Sequence, residues 1–238
     1  MATGPGLILS IDEKRYPGSA APTLSGFKAK IAPGSVTAIL GPSGIGKSTL
    51  LRIIAGIDRD FSGYVTINGQ PAAEAAPPGF LFQDPRLLPW LTTLDNVRTA
   101  GNGISTEKAM AALARTGLAD HANLYPHQLS GGMQRRAALA RALALNAGLL
   151  LLDEPFVSLD RALVEEMYNL IASIAAADRP TMILVTHMAE DAACLADRVL
   201  VLSGTPAEIA ADLTLAQPRN QRDRASLDSY RRLIEGAI

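Results

Sequence analysis

The sequence predicts an α/β fold in which a mostly parallel sheet is interrupted by a helical insertion. Seven apolar runs of four or five residues have the length of strands, and several are too continuously apolar to have one face in water. Helical stretches follow two of these runs directly, as expected when crossover helices join parallel strands. Between residues 83 and 146 the pattern contains helical stretches and proline-punctuated loops but no convincing strand.

The predicted elements can be placed along the chain in order. The strands are predicted at residues 7–11, 36–40, 64–67, 79–82, 149–152, 182–185 and 199–202. The helices are predicted at residues 47–55, 106–116, 130–146, 161–177 and 189–196. After residue 203 the chain carries five acidic and five basic residues, so it is electrically balanced. The basic cluster at 219–224 is expected in a solvated loop rather than at a phosphate group.

Length and composition exclude several classes of protein. The 238 residues suit one globular unit with a sizeable core. A formal net charge of −1 gives no bulk attraction to nucleic acid or to an anionic membrane. No apolar run reaches the ~18–20 residues that span a bilayer, and no signal peptide is recognisable. The chain is therefore expected in the cytoplasm, with any membrane role supplied by a protein partner. Cys194, the only cysteine, is expected to pack in a helix.

A glycine-rich loop lies between the predicted strand 36–40 and the predicted helix 47–55. Strand, loop and helix in this order form the context in which backbone N–H groups at a helix N-terminus bind phosphate. Lys47 is expected to contact the β- and γ-phosphates of a nucleotide, and Ser48 is expected to ligate Mg²⁺. The motif consists of Gly41, Pro42, Ser43, Gly44, Ile45, Gly46, Lys47, Ser48 and Thr49.

Two further motifs follow this loop. Asp153 and Glu154 come directly after a buried apolar run, where adjacent carboxylates would repel each other unless a cation such as Mg²⁺ or a shared proton relieved them. Upstream of them, residues 129–136 read Leu-Ser-Gly-Gly-Met-Gln-Arg-Arg. Ser130 is a suitable N-cap for the helix that follows, and the two glycines leave that helix N-terminus open to a phosphate group.

Together these three spaced motifs resemble those of ATP-binding cassette (ABC) ATPases, and the resemblance covers essentially the whole chain. It implies one ABC ATPase domain over 1–238, with a P-loop NTPase (RecA-like) core, an antiparallel β subdomain, an inserted helical subdomain at 84–147 and a C-terminal tail at 203–238. It also implies hydrolysis of ATP with Mg²⁺. In this family the segment containing Ser130 closes on ATP held by a second cassette, so a homodimer or a paired ABC subunit is expected.

The resemblance assigns roles to single residues. Glu154 matches the general base for the attacking water, and Asp153 matches a partner of Mg²⁺ that acts through bound water or from outside the direct ligand shell. Gln83 matches the glutamine that contacts Mg²⁺ and the lytic water, and His187 matches the histidine that contacts the γ-phosphate. Tyr16 matches the aromatic residue that stacks on adenine, with an ordinary surface tyrosine as the alternative. Further contacts to the nucleotide or the dimer seam are implied for Thr49, Ser130, Gly131, Gly132 and Asp160.

Residues 82–97 resemble the ATPase subunits of nitrate, sulfonate and taurine importers. This resemblance implies a peripheral subunit on the cytoplasmic face of the inner (cell) membrane that powers import of a small anion or organic solute. The implied partners are a transmembrane permease, contacted through Leu87, Leu88 and Trp90, and a periplasmic or surface solute-binding protein. Because the interval 69–79 is short and rich in alanine and proline, an importer of a neighbouring group of substrates is an open alternative.

Other functions compete with this interpretation. The chain could serve another ABC importer or an exporter, although exporters more often carry membrane helices in the same chain. A soluble ABC machine for DNA repair or translation would have a long coiled-coil insertion or two cassettes, and the sequence has neither. A regulatory module that does not hydrolyse ATP should have lost Lys47, Glu154 or the motif at 129–136, and the sequence retains all three. For Trp90, packing in the core is the alternative to anchoring a permease helix.

Overall fold

The computed structural model describes residues 3–238 and contains ten β-strands and seven α-helices within them. The strands are β1 (Leu7–Lys14), β2 (Leu24–Ile31), β3 (Val36–Leu40), β4 (Ser62–Ile67), β5 (Gln70–Pro71), β6 (Gly79–Leu81), β7 (Leu149–Asp153), β8 (Thr181–Thr186), β9 (Arg198–Ser203) and β10 (Glu208–Thr214). The helices are α1 (Lys47–Ile54), α2 (Thr93–Arg98), α3 (Thr106–Arg115), α4 (Gly131–Ala144), α5 (Arg161–Ala177), α6 (Ala189–Leu195) and α7 (Arg224–Glu235).

A six-stranded sheet in the order β10-β9-β3-β8-β7-β6 forms the centre of the molecule. Five strands are parallel, and only the edge strand β10 runs antiparallel to its neighbour. Along β7, Leu149 and Leu151 pack in the core shared with α1 and the second sheet. Leu150 and Leu152 instead pack in the core shared with α4 and α5. The parallel sheet is therefore buried on both faces, as its continuous apolar runs predict.

The second sheet is antiparallel, with strand order β2-β1-β4-β5. Strands β1 and β2 largely alternate between buried and more exposed side chains, because only one face of the sheet packs against the core. In β2, buried Phe27 and Ala29 flank exposed Lys28. This alternation explains why the strand was not predicted: it lacks a continuous apolar run. The antiparallel subdomain implied by the family resemblance is confirmed.

Residues 84–147, all of which the structure describes, contain α2, α3 and α4 and no strand. Each helix begins at a hydroxyl side chain that accepts a backbone N–H of the first turn: Thr92 for α2, Ser105 for α3 and Ser130 for α4. Val97 and Leu139 pack in one core with Leu152 of the central sheet. This shared core fixes the helical region on the sheet.

The chain after residue 203 is more ordered than its balanced charge suggests. Strand β10 pairs with β9, and buried Ile234 of α7 packs with Ala192 and Ala193 of α6. Neither β10 nor α7 was predicted. Strand β10 lies at an edge, and its residues alternate between partly buried and exposed, so it gives little hydrophobic signal.

The arginine cluster at 219–224 corrects a prediction, because it is not a solvated loop. Arg222 donates a hydrogen bond to the carbonyl of Ala193 at 2.7 Å, and Arg219 donates to the carbonyl of Leu195 at 3.3 Å. Both carbonyls belong to the last turn of α6, where helix geometry leaves acceptors without partners inside the helix. The two arginines therefore tie the C-terminal segment to α6.

Where the structure describes helices, none combines the length and the apolar character that crossing a bilayer requires.

Candidate nucleotide-binding and catalytic site

The phosphate-loop motif connects β3 to α1, as predicted. Gly46 precedes the first residue of α1 with φ of 110°, a conformation that side chains other than glycine rarely adopt. A Cβ atom there would also lie 2.8 Å from Cγ2 of Thr23. The glycine therefore lets the chain turn directly into the helix, whose first N–H groups have no partners inside the helix. Such a helix N-terminus favours an anion.

Lys47 folds back over this loop. Its Nζ atom donates hydrogen bonds to the carbonyls of Gly41 at 2.8 Å and Pro42 at 2.9 Å. Nζ also lies 3.7 Å from Oε1 of Glu154. Burial lowers the pKa of Lys47, and the nearby Glu154 carboxylate opposes that shift. The structure thus holds a cation between the phosphate loop and the end of β7.

Ser48 and Asp153 meet at the carboxyl edge of the sheet. The hydroxyl of Ser48 donates to Oδ1 of Asp153 at 3.1 Å. Burial raises the pKa of Asp153, an effect that the Ser48 hydrogen bond opposes. With Gln83 and Arg135 they line a cavity of about 340 Å³. Buried hydroxyl and carboxylate oxygens are hard donors that suit Mg²⁺, which commonly takes few protein ligands and completes its shell with phosphate oxygens and water.

Glu154 and His187 follow the neighbouring strands β7 and β8. Oε2 of Glu154 lies 3.4 Å from Nδ1 of His187. Glu154 has φ of 46°, in the left-handed region, which costs about 1 kcal/mol for a residue with a side chain. Its N–H donates to the carbonyl of Val185 at 2.9 Å, which holds this turn against β8. The carboxylate, the imidazole and the Lys47 ammonium therefore form one cluster.

Arg135 is a buried residue of this region that sequence reasoning missed. From α4, its Nη1 donates to the carbonyl of Glu154 and its Nη2 to the carbonyl of Gln83, both at 3.0 Å. Burial lowers the pKa of this guanidinium. Its burial could have been predicted, because Arg135 lies three and four positions before buried Ala138 and Leu139 and therefore on the apolar face of the helix.

Tyr16 lies beside the phosphate loop. Its hydroxyl shares a hydrogen bond with Oγ1 of Thr49 at 3.0 Å. Nζ of buried Lys14 lies 4.6 Å from the centre of the Tyr16 ring, within the range of a cation–π interaction. Lys14 is itself held by Asp58 at 2.9 Å. Tyr16 is predicted from the sequence as a contact of adenine, but the lysine that packs against its ring is not.

The motif containing Ser130 occupies a different place. Ser130 and Gly131 are exposed at the start of α4, and they are not among the residues that line the cavity at Ser48. Asp160 caps α5 by accepting the N–H of Leu163 at 2.9 Å. A Cβ atom on Gly132 would lie 3.0 Å from the Leu163 side chain. The Ser130 motif and the Asp160 loop are therefore neighbours.

The loop before α2 displays Trp90. Because the Trp90 side chain is 69% exposed, the alternative that it packs in the core is wrong. The loop backbone is nevertheless fixed, since buried Asn96 accepts the N–H of Leu88 at 2.7 Å and donates to the carbonyls of Leu88 and Leu91. Arg141 of α4 donates to the carbonyl of Pro85 at 2.6 Å. Trp90 thus projects from a rigid loop.

Comparison with known proteins agrees with this geometry. Residues 24–157 match the family model described as ABC transporter. Aliphatic sulfonates import ATP-binding protein SsuB 2 of Burkholderia cenocepacia (strain HI2424) is 42% identical over 220 residues, which cover 89% of this chain and 80% of that protein. Taurine import ATP-binding protein TauB of Chromobacterium violaceum is 42% identical over 224 residues, covering 91% and 85%.

A solved structure shows the same fold. It is described as the dimeric structure of a post-hydrolysis state of the ATP-binding cassette MJ0796 bound to ADP and Pi. The match has a TM-score of 0.78 and 30% sequence identity, and it covers 89% of this chain and all of that one. The predicted fold class is therefore confirmed. The chain belongs to the ABC transporter family and is an ATP-binding cassette ATPase.

Proposed function

We propose that this chain is the ATP-hydrolysing subunit of a membrane importer for a small anion or organic solute of the nitrate, sulfonate or taurine type. The observation that carries the proposal is the cluster of Lys47, Glu154 and His187 beside the Ser48–Asp153 pair. These groups can bind a triphosphate and activate water next to it. The sulfonate and taurine import proteins that resemble the chain support the solute class.

In this proposal the phosphate loop binds the β- and γ-phosphates of ATP through its N–H groups and through Lys47. Ser48 and Asp153 would hold Mg²⁺, with Gln83 at the same cavity. When bound, Mg²⁺ neutralises negative charge on the phosphate oxygens. Tyr16 offers its ring to adenine while its hydroxyl stays hydrogen-bonded to Thr49, which is proposed to contact the α-phosphate.

Hydrolysis needs a base for the attacking water. The Glu154 carboxylate accepts the water proton as the oxygen attacks the γ-phosphorus and the bond to ADP breaks. His187 lies 3.4 Å from this carboxylate, so it can orient Glu154 and contact the γ-phosphate. Arg135 holds the carbonyls of Glu154 and Gln83 and thereby fixes the two segments that carry these residues relative to each other.

A second cassette completes the site in this proposal. Ser130 and Gly131 are exposed and lie outside the cavity of their own chain at Ser48, which leaves their helix N-terminus free to meet ATP on a partner cassette. Gly132, on the same helix N-terminus, packs against Leu163, and Asp160 accepts the N–H of Leu163. The Asp160 loop therefore lies beside this helix N-terminus. The dimeric cassette of similar fold supports this arrangement.

The membrane connection is proposed through a permease subunit. Trp90 is exposed, and the half-buried Leu87 and Leu88 lie on the same hydrogen-bonded loop that follows Gln83. An exposed tryptophan on such a loop, flanked by these leucines, is a suitable anchor for a permease helix. The chain would then lie peripherally on the cytoplasmic face of the membrane. A periplasmic or surface solute-binding protein would deliver the solute to the same system.

The test is uptake by cells that depend on this chain. Cells carrying the wild-type chain, Glu154→Gln or the control Tyr64→Phe, whose ring is exposed, are compared for uptake of taurine, an alkanesulfonate and nitrate. We expect Glu154→Gln alone to abolish uptake of one of these solutes. Unchanged uptake of all three would contradict the proposed solute class. Faster net accumulation in the variant would instead favour an exporter.

A further inference from the structure

We propose that Tyr168 is a positioning residue that sets the geometry of the Glu154–His187 pair, an inference that rests on the roles proposed for those two residues. Tyr168 lies on α5 and contacts neither catalytic side chain through a hydrogen bond of its own. It touches instead the two segments that carry them. One segment leaves β8 at His187, and the other leaves β7 at Glu154.

The His187 segment is held through Asp191 of α6. The Tyr168 hydroxyl donates to Oδ1 of Asp191 at 2.5 Å, and the Thr186 hydroxyl donates to Oδ2 of the same carboxylate. Oγ1 of Thr186 in turn accepts the N–H of Met188 at 3.0 Å. These bonds fix the residues on both sides of His187, so they fix the direction from which its imidazole approaches Glu154.

The Glu154 segment is held through an aromatic contact. The ring of Phe156, two residues after Glu154, packs edge-to-face on the ring of Tyr168 with centroids 4.7 Å apart. Phe156 is 7% exposed and belongs to the core formed with α4 and α5. One tyrosine therefore braces both segments: its ring holds the Glu154 side, and its hydroxyl holds the His187 side.

This brace depends on a buried charge, which makes it sensitive to the loss of one hydroxyl. Asp191 is 5% exposed, and burial raises its pKa while the bonds from Thr186 and Tyr168 oppose that shift. A buried carboxylate that loses a donor tends to find another or to rearrange, because an unsatisfied charge is costly. Without the Tyr168 hydroxyl, Asp191 keeps Thr186 as its side-chain donor, and the His187 segment loses its tie to α5.

The position of Tyr168 also links the brace to the proposed dimer seam. Tyr168 lies eight residues after Asp160, the N-cap of α5, which corresponds to about two helical turns. Leu163, which packs by Gly132 of the Ser130 motif, lies on the intervening turn. Helix α5 therefore joins the seam at its N-terminus to the Glu154–His187 pair beside its middle.

The experiment measures ATP hydrolysis by the full chain carrying Tyr168→Phe, which retains the ring and removes the hydroxyl. We expect kcat to fall by about fivefold to tenfold, the equivalent of one hydrogen bond, with KM for ATP unchanged within about twofold. The matched control is Tyr230→Phe on α7. This variant also loses a hydrogen-bonded hydroxyl, which accepts the N–H of Gln217 at 2.9 Å. This control should keep wild-type kcat.

A second measurement does not depend on turnover. The chain has three histidines, so the imidazole signals of His187 can be assigned in NMR spectra by comparison with His187→Gln. Tyr168→Phe should shift or broaden the His187 signals and leave those of His121 and His127 in place. Tyr230→Phe should leave all three unchanged. If the hydroxyl only stabilised the fold, Tyr168→Phe would lower the melting temperature without a change confined to the His187 signals.

The outcomes separate this inference from the proposed function. Wild-type kcat together with unchanged His187 signals in Tyr168→Phe would overturn the brace, while inactive Glu154→Gln and His187→Ala proteins would leave the proposed function intact. Wild-type rates in Glu154→Gln and His187→Ala would overturn the proposed roles, and the brace with them. A fall in kcat without a change in KM, together with a change confined to the His187 signals, supports the brace.

Discussion

The guanidinium of Arg135 donates to the backbone carbonyl of Glu154 at 3.0 Å and so joins helix α4 to the end of strand β7. The same side chain holds the carbonyl of Gln83. Because α4 begins at the exposed Ser130 motif, a displacement of that motif can reach both Glu154 and Gln83 through one side chain. The relationship connects the proposed dimer contact with the proposed hydrolytic site.

Replacing Arg135 by Gln should remove this connection. We expect the free energy of unfolding to fall by about 1–3 kcal/mol, since two buried carbonyls lose their donor, and ATP hydrolysis to fall as well. The matched control is Arg136→Gln, because among residues 3–238 Arg136 makes a single ion pair, at 3.9 Å, with exposed Glu166. Urea unfolding and steady-state ATPase assays measure both effects. Equal losses in the two variants would contradict the role given to Arg135.

Lys47→Ala should weaken ATP binding itself. The variant loses a buried cation at the phosphate loop, and a charge-assisted contact to phosphate corresponds to about tenfold or more in Kd. Isothermal titration with Mg·ATP measures the change. Lys28→Ala, on the exposed side of β2, is the control and should bind as wild type does. If Lys47→Ala binds ATP with unchanged affinity, the phosphate loop is misassigned.

Ser130→Arg should damage the site of the partner cassette rather than its own. Mixing Lys47→Ala chains with Ser130→Arg chains produces some dimers with one undamaged composite site and one doubly damaged site. We expect such mixtures to retain more ATP in the occluded state than either variant alone. Retained nucleotide is counted after rapid gel filtration. Equal retention in the mixture and in the single variants would argue against action across the seam.

Trp90→Ala should affect assembly and not folding. Because the side chain is 69% exposed, we expect the free energy of unfolding to change by about 0.5 kcal/mol or less and the ATPase rate of the chain alone to persist. Copurification with the permease should fall strongly, as for a hot-spot residue. Ile57→Ala removes another exposed apolar side chain and is the control. Normal copurification and uptake in Trp90→Ala would refute the anchor.

Most of the central sheet could be predicted because its strands are apolar on both faces. Strands β3, β7 and β8 are buried throughout, and that burial is visible as unbroken apolar runs. Strands β2 and β10 could not be recognised in this way. Each alternates between more and less exposed residues, and charged side chains such as Lys28 interrupt the pattern.

The residues of the candidate site also fall into those that could be predicted from the sequence and those that could not. Lys47, Ser48, Asp153 and Glu154 belong to motifs with fixed spacing, so their convergence could be expected from the order of strand ends. The burial of Arg135 could be predicted from its place on the apolar face of α4, but its partners could not, because they are backbone carbonyls that leave no mark in the sequence. The contacts of Tyr168 with Phe156 and Asp191 likewise join residues 12 and 23 positions apart, which only the folded chain brings together.

The most direct test of the central claim is the behaviour of Glu154→Gln with Mg·ATP. If Glu154 is the base and two cassettes close on ATP, the variant should bind ATP, fail to hydrolyse it and accumulate as a dimer. Light scattering coupled to gel filtration measures the mass, and chromatography of the extracted nucleotide identifies it. We predict twice the monomer mass with ATP bound. A monomer at saturating ATP, or hydrolysis at the wild-type rate, would contradict the account.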